Sequence, residues 1–596
     1  MILDKINYPN DLKSLTVDEM NILSQEIREL IIKKVNTTGG HLGPNLGITE
    51  ATIAFHYVFN SPEDKIVFDV SHQCYPHKIL TGRKEGFLDS DKYLKYTGYT
   101  APEESEHDIF KIGHTSTSVS LAVGLAKARD LKREKGNIVA LIGDGSLTGG
   151  EALEGLNNGA TLGSNFIVIV NDNDMSIAEN HGGLYSNLEL LKKTNGMAEN
   201  NFFKAMGYDY LYVEEGNNIE KLIEAFCKVK DTDHPVVVHI HTLKGKGLKF
   251  AEENKEACHW ILPHTLDENK PVYEAKEDYS SITKDFILKK ASKDRSVIAI
   301  TPATPGVYGF DSEFRNRLGK QYTDTGIAEE HAVAYASGLA KNGAKPILNI
   351  MSSFVQRTYD QMSQDLCLNN SPVTMLVYWG GLSSADCTHL CCFDIPLISN
   401  IPNMVYLAPT NKEEYLAMLN WSLEQNKHPV AIRVPNVDVV TTGIPDKTDY
   451  SILNKFKVVE KGEKIAILGL GNFFNKAVEL KDLIKKECNI NATLINPVYM
   501  TGIDKELLEE LEKDHNLVIT LEDGVLDGGF GEKISRFYSA SDMKVLNYGG
   551  LKEFTDRVPL EDIYKKCGLD NKSIISDIQS VYAAEQAKSG KFYTFR

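Results

Sequence analysis

Two apolar runs set the frame for this chain: NIVALIG at 137–143 and NFIVIVND at 165–172 share a β-branched, non-alternating character, and each ends abruptly in polar residues, Asp144 after the first and Asn171 to Asp174 at the second. A short strand without polar alternation is buried on both faces, an environment supplied by a parallel sheet covered with helices. The intervening GGEALEGLNNGATLG has helical character, and 27 residues lie between Gly145 and Asn173, about one helix plus one strand. The two polar ends therefore emerge side by side at the carboxyl edge of neighbouring strands, where open α/β sheets bind ligands.

The same alternation recurs along the chain. HPVVVHIHT follows in the first third; SVIAITPA, KPILNIMS, PVTMLVYW, PNMVYLAP and HPVAIRV form a second series; EKIAILGLG, NATLINPVY and NLVITLED form a third. The expected fold is α/β, with three domains built on mainly parallel sheets: residues 1–262, 295–448 and 449–596. The polar, charged stretch 263–294 reads as a surface connection. Ahead of the first series, Thr16-Val17-Asp18-Glu19 is a capping-box pattern before the periodic run EMNILSQEIRELIIKKV, so an amphipathic helix opens the chain and stops at Gly39-Gly40. A chain of 596 residues has room for several such cores.

Composition removes some classes of function. Acidic residues outnumber basic ones, 82 to 65, and no Lys/Arg block is present, which argues against a nucleic-acid partner. No apolar stretch is long enough to span a bilayer, and MILDKINYPND lacks a signal core, so no membrane partner and a cytoplasmic location are expected. Nine scattered cysteines suit a reducing compartment better than a disulfide framework.

The polar strand ends carry the chemistry. In LIGDGSLTGG (141–150), Asp144 offers a carboxylate oxygen, while Gly143, Gly145 and Ser146 let the backbone approach a diphosphate. In IVNDNDMSI (169–177), Asn173 offers a side-chain oxygen and Met175 a backbone carbonyl. Magnesium prefers such oxygens, completed by diphosphate oxygens and water. A lone GDG is often only a tight turn; the pairing of the two motifs is the diphosphate-magnesium signature of thiamine diphosphate enzymes.

With these motifs the chain resembles the 1-deoxy-D-xylulose-5-phosphate synthase family of the transketolase superfamily. The resemblance runs nearly end to end through TTGGHLGPNLGITE (37–50), SHQCYPHKILTGR (71–83), IGHTSTSVSLAVGLA (112–126), HTLKGKG (241–247), TGIAEEHAVAYASGLA (325–340), SSFVQRTYDQ (352–361) and EDGVLDGGFGE (522–532). It implies a transketolase-like fold, thiamine diphosphate and Mg2+ as cofactors, a homodimer, and transfer of a two-carbon unit from pyruvate to an aldehyde with loss of carbon dioxide, the cofactor serving as electron sink. It also assigns roles. Glu329 matches the carboxylate that bonds the aminopyrimidine ring, and Phe354 the aromatic that packs on it. His72, Gly113, His114 and Thr115 match cofactor contacts, and Lys244 the diphosphate side. His41, His259, His389 and Asp386 match groups that face donor and acceptor and move protons, with Ser352 and Arg357 beside them. Both halves of the cofactor site belong to one chain, the diphosphate half in residues 1–260 and the pyrimidine half in 295–445.

The acceptor side departs from the family. Where the family has Asp-Arg-Ala-Gly, this chain reads Tyr378-Trp379-Gly380-Gly381, and where it has Tyr-Pro-Arg-Gly, this chain reads Val434-Pro435-Asn436-Val437. Trp379 and Asn436 thus occupy the places of two phosphate-binding arginines. Met351 and Leu248 replace tyrosines, and the loop Asp386–Cys392 is one residue shorter than the family pattern. An arginine presents a permanent charge and a bidentate fork that neither replacement has, so the exchanges remove on the order of several kcal/mol of phosphate binding. Arg357 and Arg433 lie nearby as compensating cations or as structural ion pairs. Cys387, Cys391, Cys392 and His389 have the element types of a zinc set but not its two-knuckle spacing, and read as small apolar fillers. Three alternatives stay open beside the synthase reaction: the same chemistry with an unphosphorylated or bulkier acceptor, a transketolase proper, and a non-catalytic cofactor-binding paralogue. Gly528-Gly529-Phe530-Gly531 admits a phosphate-binding or a packed-turn reading.

Overall fold

The computed structural model describes residues 1–267 and 276–589, with side chains described to residue 583. The chain divides into two compact units, one of residues 1–275 with 325–328, the other of residues 276–324 with 329–596.

The first unit opens with the helix Val17–Thr38, capped as its sequence demands: the Thr16 hydroxyl accepts from the Glu19 amide and the Glu19 carboxylate returns to the Thr16 amide. It ends at Gly39, whose φ of 75° is a left-handed stop. Beyond it Gly40–His41 (β1) pairs with Trp260–Ile261 in an antiparallel ladder. The main sheet comprises Lys65–Phe68 (β2), Ile138–Gly143 (β3), Phe166–Asp172 (β4), Asp209–Val213 (β5) and Pro235–His241 (β6), in the order β2-β3-β4-β6-β5, all parallel. Gly143 of β3 lies opposite Asn171 of β4, so the two polar motifs do leave adjacent strands at the same edge.

The second unit holds two further sheets. One is entirely parallel and takes the order Val405–Leu407, Val430–Arg433, Thr374–Tyr378, Lys345–Met351, Val297–Thr301, Tyr322–Asp324. The other runs Lys457–Glu460, Thr493–Asn496, Lys464–Gly469, His515–Val525, Lys544–Gly550, parallel except for its first pair. A mainly parallel α/β architecture is what the strand composition requires. One apolar core joins side chains of both sheets, among them Ile350, Val377, Ala466 and Val518.

One expectation needs correction. Residues 279–291, read as part of a surface connection, form a helix, Tyr279–Ala291, that buries Tyr279, Ile282, Phe286 and Ile287 in a core with Tyr415 and Leu376. Their i, i+3, i+7, i+8 spacing is an apolar stripe diluted by the Lys, Asp and Ser residues between them. The earlier part of that stretch, 268–275, lies outside the described residues. Among the described residues no helix is long and apolar enough to cross a membrane.

Candidate active site

At the carboxyl edge of β3 and β4, Asp144 is buried, and its backbone amide donates to the Asn171 carbonyl at 3.2 Å. Burial, reinforced by the Asp172 carboxylate, raises the Asp144 pKa above the usual carboxylate range, against the Asn180 amide donating at 2.8 Å. Asn173 is also buried, and its Oδ1 has no hydrogen-bond partner among the described residues. A buried carboxylate and an orphaned amide oxygen on adjoining strand ends form an electron-rich donor set, and a hard divalent cation satisfies both. Met175, half-buried, follows directly, after Asp174 takes a left-handed φ of 65°. Three-residue clusters of His, Cys, Asp and Glu fit for a metal are absent among the described residues. The buried Asp144 carboxylate and the Asn173 oxygen fit magnesium completed by diphosphate oxygens and water.

The glycines here are used for approach. A Cβ on Gly145 would fall 2.9 Å from Ser176 Oγ, whereas one on Gly143 meets nothing within 4 Å. Ser146 is buried beside them. Lys244, which sequence alone leaves open as a solvated lysine, is 1% exposed and donates from Nζ to the Ser176 carbonyl at 2.6 Å. Burial lowers its pKa to about 8, opposed by the nearby Asp144.

Three of the five histidines converge in this unit. The ring centroids of His41, His72 and His259 are 5.0, 5.5 and 5.3 Å apart, with His72 and His259 stacked. Burial, then Lys244 and the other two rings, pushes His259 well below its ordinary pKa, so it is neutral at pH 7. Asn45 holds the group: its side-chain amide donates to the His41 carbonyl at 2.9 Å and the His72 carbonyl at 2.8 Å, and its Oδ1 accepts from the Tyr75 amide at 2.9 Å. Gly113 is buried, and His114 and Thr115 are half-buried. Their loop is tied to the strand that precedes His72. Asp69 accepts from the Ser116 and Ser118 amides at 2.8 and 3.1 Å, and Ser71 donates to the Ile112 carbonyl at 2.6 Å. Neither Asn45 nor Asp69 stands out in the sequence; the signal for Asp69 was its place at the carboxyl end of β2.

In the second unit, Glu329 opens the helix Glu329–Lys341 and is 3% exposed. Burial raises its pKa, against the Arg357 guanidinium 3.5 Å away. Phe354 is half-buried, and its ring stands edge-on to His389 with centroids 5.9 Å apart. Thr388 Oγ1 lies 2.9 Å from His389 Nδ1, and Asp386 lies 3.5 Å from the same nitrogen. Although burial pushes the Asp386 pKa upward, His389 and the Thr388 donors bring it down to about 2. Ser352 is buried and donates to the Cys391 carbonyl at 2.8 Å, which fixes the returning end of the loop.

Trp379 has a left-handed φ of 62° and is 44% exposed, and Asn436 is exposed. Arg433 is the structural ion pair of the two readings: its Nε and Nη2 reach Asp394 at 2.7 and 3.0 Å and its Nη1 bonds Asp523. Asn472 completes the cluster, donating at 2.7 Å to Asp523 and at 3.3 Å to the Gly380 carbonyl. Cys391 and Cys392 are buried fillers whose thiols burial pushes up to about 12. The Gly528–Gly531 turn is packed: the Glu522 carboxylate accepts from the Phe530 and Gly531 amides at 2.9 and 2.7 Å.

Comparison with known proteins gives the family. Residues 3–199 and 187–242 match the family described as 1-deoxy-D-xylulose-5-phosphate synthase, residues 276–439 the transketolase pyrimidine-binding domain, and residues 454–574 the transketolase C-terminal domain. The 1-deoxy-D-xylulose-5-phosphate synthase of Caldanaerobacter subterraneus subsp. tengcongensis is 38% identical over 620 residues, covering 98% of this chain and 99% of the relative. The enzyme of that name from Clostridium tetani is 38% identical over 618 residues, covering 97% and 99%, and that from Carboxydothermus hydrogenoformans is 36% identical over 612, covering 96% and 98%. With the diphosphate and pyrimidine motifs folded at their strand ends and relatives matched over nearly all their length, the chain belongs to the 1-deoxy-D-xylulose-5-phosphate synthase family.

Proposed function

We propose that this chain is a transketolase-type transferase that decarboxylates pyruvate and passes the two-carbon unit to D-glyceraldehyde 3-phosphate, using thiamine diphosphate and magnesium. The observation that carries the reading is the pairing of buried Asp144 with the orphaned Asn173 oxygen, at the edge of a parallel sheet, in a chain that also keeps a buried glutamate at position 329. When bound, thiamine diphosphate supplies the electron sink for the carbanion left by decarboxylation. Every other task falls to side chains.

Asp144, Asn173 and the Met175 carbonyl hold the cation, and Gly145, Ser146 and Lys244 receive the diphosphate. Glu329, whose burial favours its protonated form, would hold a proton for the aminopyrimidine ring, and Phe354 would offer that ring an aromatic contact. His41 and His259 face the pyruvate carboxylate, with His72, Gly113, His114 and Thr115 lining the cofactor. Asp386 keeps its charge and orients His389, with Ser352 behind the loop, to take and return a proton as the acceptor carbonyl reacts. Arg357 balances Glu329.

The relatives matched along the whole chain are named for the synthase, so transketolase proper and a non-catalytic paralogue are not favoured. A homodimer is part of the proposal, as is a cytoplasmic location, to which nine scattered cysteines are suited. Mass spectrometry of the products from purified protein, magnesium, thiamine diphosphate, pyruvate and D-glyceraldehyde 3-phosphate tests the reading. 1-Deoxyxylulose 5-phosphate is the expected product; unconsumed pyruvate under all acceptors overturns it.

A further inference from the structure

We propose that Lys192 is a positioning residue of the cation loop: its ammonium ties together Asp172 and Asp174, the two residues that flank Asn173, and so sets the shape in which the loop receives magnesium. The proposal rests on the reading above, in which Asn173 and the Met175 carbonyl serve the cation.

Two adjacent lysines end the helix Gly183–Lys193, and their surroundings differ. Leu188 and Leu191 of this helix are buried in the core that also holds Val168 and Val170 of β4. Lys192 follows them, with only 14% of its side chain exposed, whereas Lys193 is 69% exposed and pairs with Glu189 one turn back. An ammonium withdrawn from water needs acceptors for its N–H groups and counter-charge for itself. Lys192 finds both in the cation loop. Its Nζ donates to Asp172 Oδ1 at 3.0 Å and also to Asp174 Oδ1.

The two carboxylates are structural parts of that loop. Asp172 ends β4 and is 1% exposed; its Oδ2 lies 3.0 Å from His239 Nε2, and the Tyr210 hydroxyl lies 2.8 Å from the other nitrogen of that ring. Asp172 Oδ1 also accepts from the Asp174 amide at 3.1 Å. Asp174 takes a left-handed φ of 65°, a conformation that aspartate visits when local hydrogen bonds hold it, and its Oδ2 lies 3.3 Å from His241 Nε2. Without the ammonium, two like charges two residues apart repel, and the bond from Asp174 to the helix is gone. Met175 follows directly on that backbone and moves with it.

A lysine beside a cation site exerts two effects of opposite sign. As a charge it repels magnesium, so its removal tightens binding. As a tie it orders the loop that carries the ligands, so its removal weakens binding. Lys192 is directed at the flanking carboxylates, which neutralise it, while the Asn173 oxygen between them has no partner among the described residues. The ordering effect therefore governs.

The test titrates magnesium calorimetrically into the full chain in the presence of thiamine diphosphate, for wild type, Lys192→Met, Lys192→Gln and Lys192→Arg. The magnesium dependence of carbon dioxide release from pyruvate and the magnesium-free unfolding midpoint are measured alongside. Lys192→Met should raise the magnesium dissociation constant by about tenfold or more, with kcat restored at saturating magnesium and KM for pyruvate unchanged. Lys192→Arg, which can span both carboxylates, should recover most of the affinity. Unchanged or tighter magnesium binding in Lys192→Met overturns the assignment, tighter binding identifying the lysine as a repelling charge alone. A loss of affinity that arginine does not restore overturns it as well. Where Lys192→Met is unfolded at the assay temperature, Lys192→Gln decides, since it keeps donors without the charge: weaker binding than wild type supports the tie, and equal or tighter binding overturns it. Wild type that binds magnesium but releases no carbon dioxide removes the functional reading alone, and the affinities of the variants still decide Lys192. Wild type that binds no magnesium overturns both.

Discussion

A carboxyl group without water keeps its proton unless a cation or several donors hold it ionised, and Glu329 is set between those limits. Burial raises its pKa, and the Arg357 guanidinium, 3.5 Å away, opposes the rise. Glu329→Gln keeps shape and one acceptor but removes the transferable proton. Its acceptor-free carbon dioxide release from pyruvate should fall about 10²–10⁴-fold, the range a positioned acid-base group contributes, while calorimetric affinity for thiamine diphosphate changes far less. An equal loss in affinity and rate would mean a binding role alone. Asn173 makes a second case at this scale. Its buried Oδ1 lacks a partner among the described residues, so Asn173→Ala should raise the magnesium concentration for half-maximal activity by about 10–100-fold, with excess magnesium restoring the rate. Restoration by magnesium separates a lost ligand from a damaged fold.

Segments of the second unit meet around a buried charge cluster that no strand pattern announces. Arg433 at the end of one strand, Asp394 in the helix Asp394–Ser399 and Asp523 in the strand His515–Val525 share one network, with Tyr406 donating to Asp394 at 2.5 Å. The Trp379-Gly380-Gly381 turn lies on it: a Cβ on Gly380 would fall 2.4 Å from Arg433 Nε, and one on Gly381 2.7 Å from Asp523 Oδ2. Arg433→Met leaves two buried carboxylates facing each other, so the guanidinium chloride midpoint should drop by an amount equivalent to about 3–5 kcal/mol. An unchanged midpoint would show that water compensates the pair. This cluster also marks where sequence reading stops. Strands, helix caps and the Asp144/Asn173 pair are local or lie one crossover apart, and periodicity and turn chemistry reveal them. The meeting of Asp523 and Arg433, 90 residues apart, depends on how two sheets pack. Sequence neighbours left a phosphate ligand open for Arg433 beside the favoured structural ion pair, and the helix Tyr279–Ala291 escaped notice because its apolar stripe is diluted by charge.

For the molecule as a whole, stability against pH follows from groups that titrate differently once buried. Asp386, brought down to about 2, stabilises the fold above the carboxylate's ordinary range, and that contribution is lost as pH falls toward 2. Glu522 acts in the opposite sense. Burial raises its pKa from 4.5 to about 7 despite the two amides it accepts from, so the folded chain binds a proton that the unfolded chain releases between those values. The sign is fixed by linkage: stability from Glu522 is complete below pH 4.5 and declines as pH rises through 7, by about 3 kcal/mol in all. Unfolding midpoints measured at steps between pH 5 and pH 8 should therefore fall more steeply in wild type than in Glu522→Gln. The glutamine loses one acceptor for the Phe530 or Gly531 amide and so lowers the midpoint at every pH. The diagnostic quantity is the slope, which an uncharged side chain removes and a lost hydrogen bond does not. Parallel slopes in the two proteins would place the titrating group elsewhere and return Glu522 to the role of an ionised cap on the helix Phe530–Phe537.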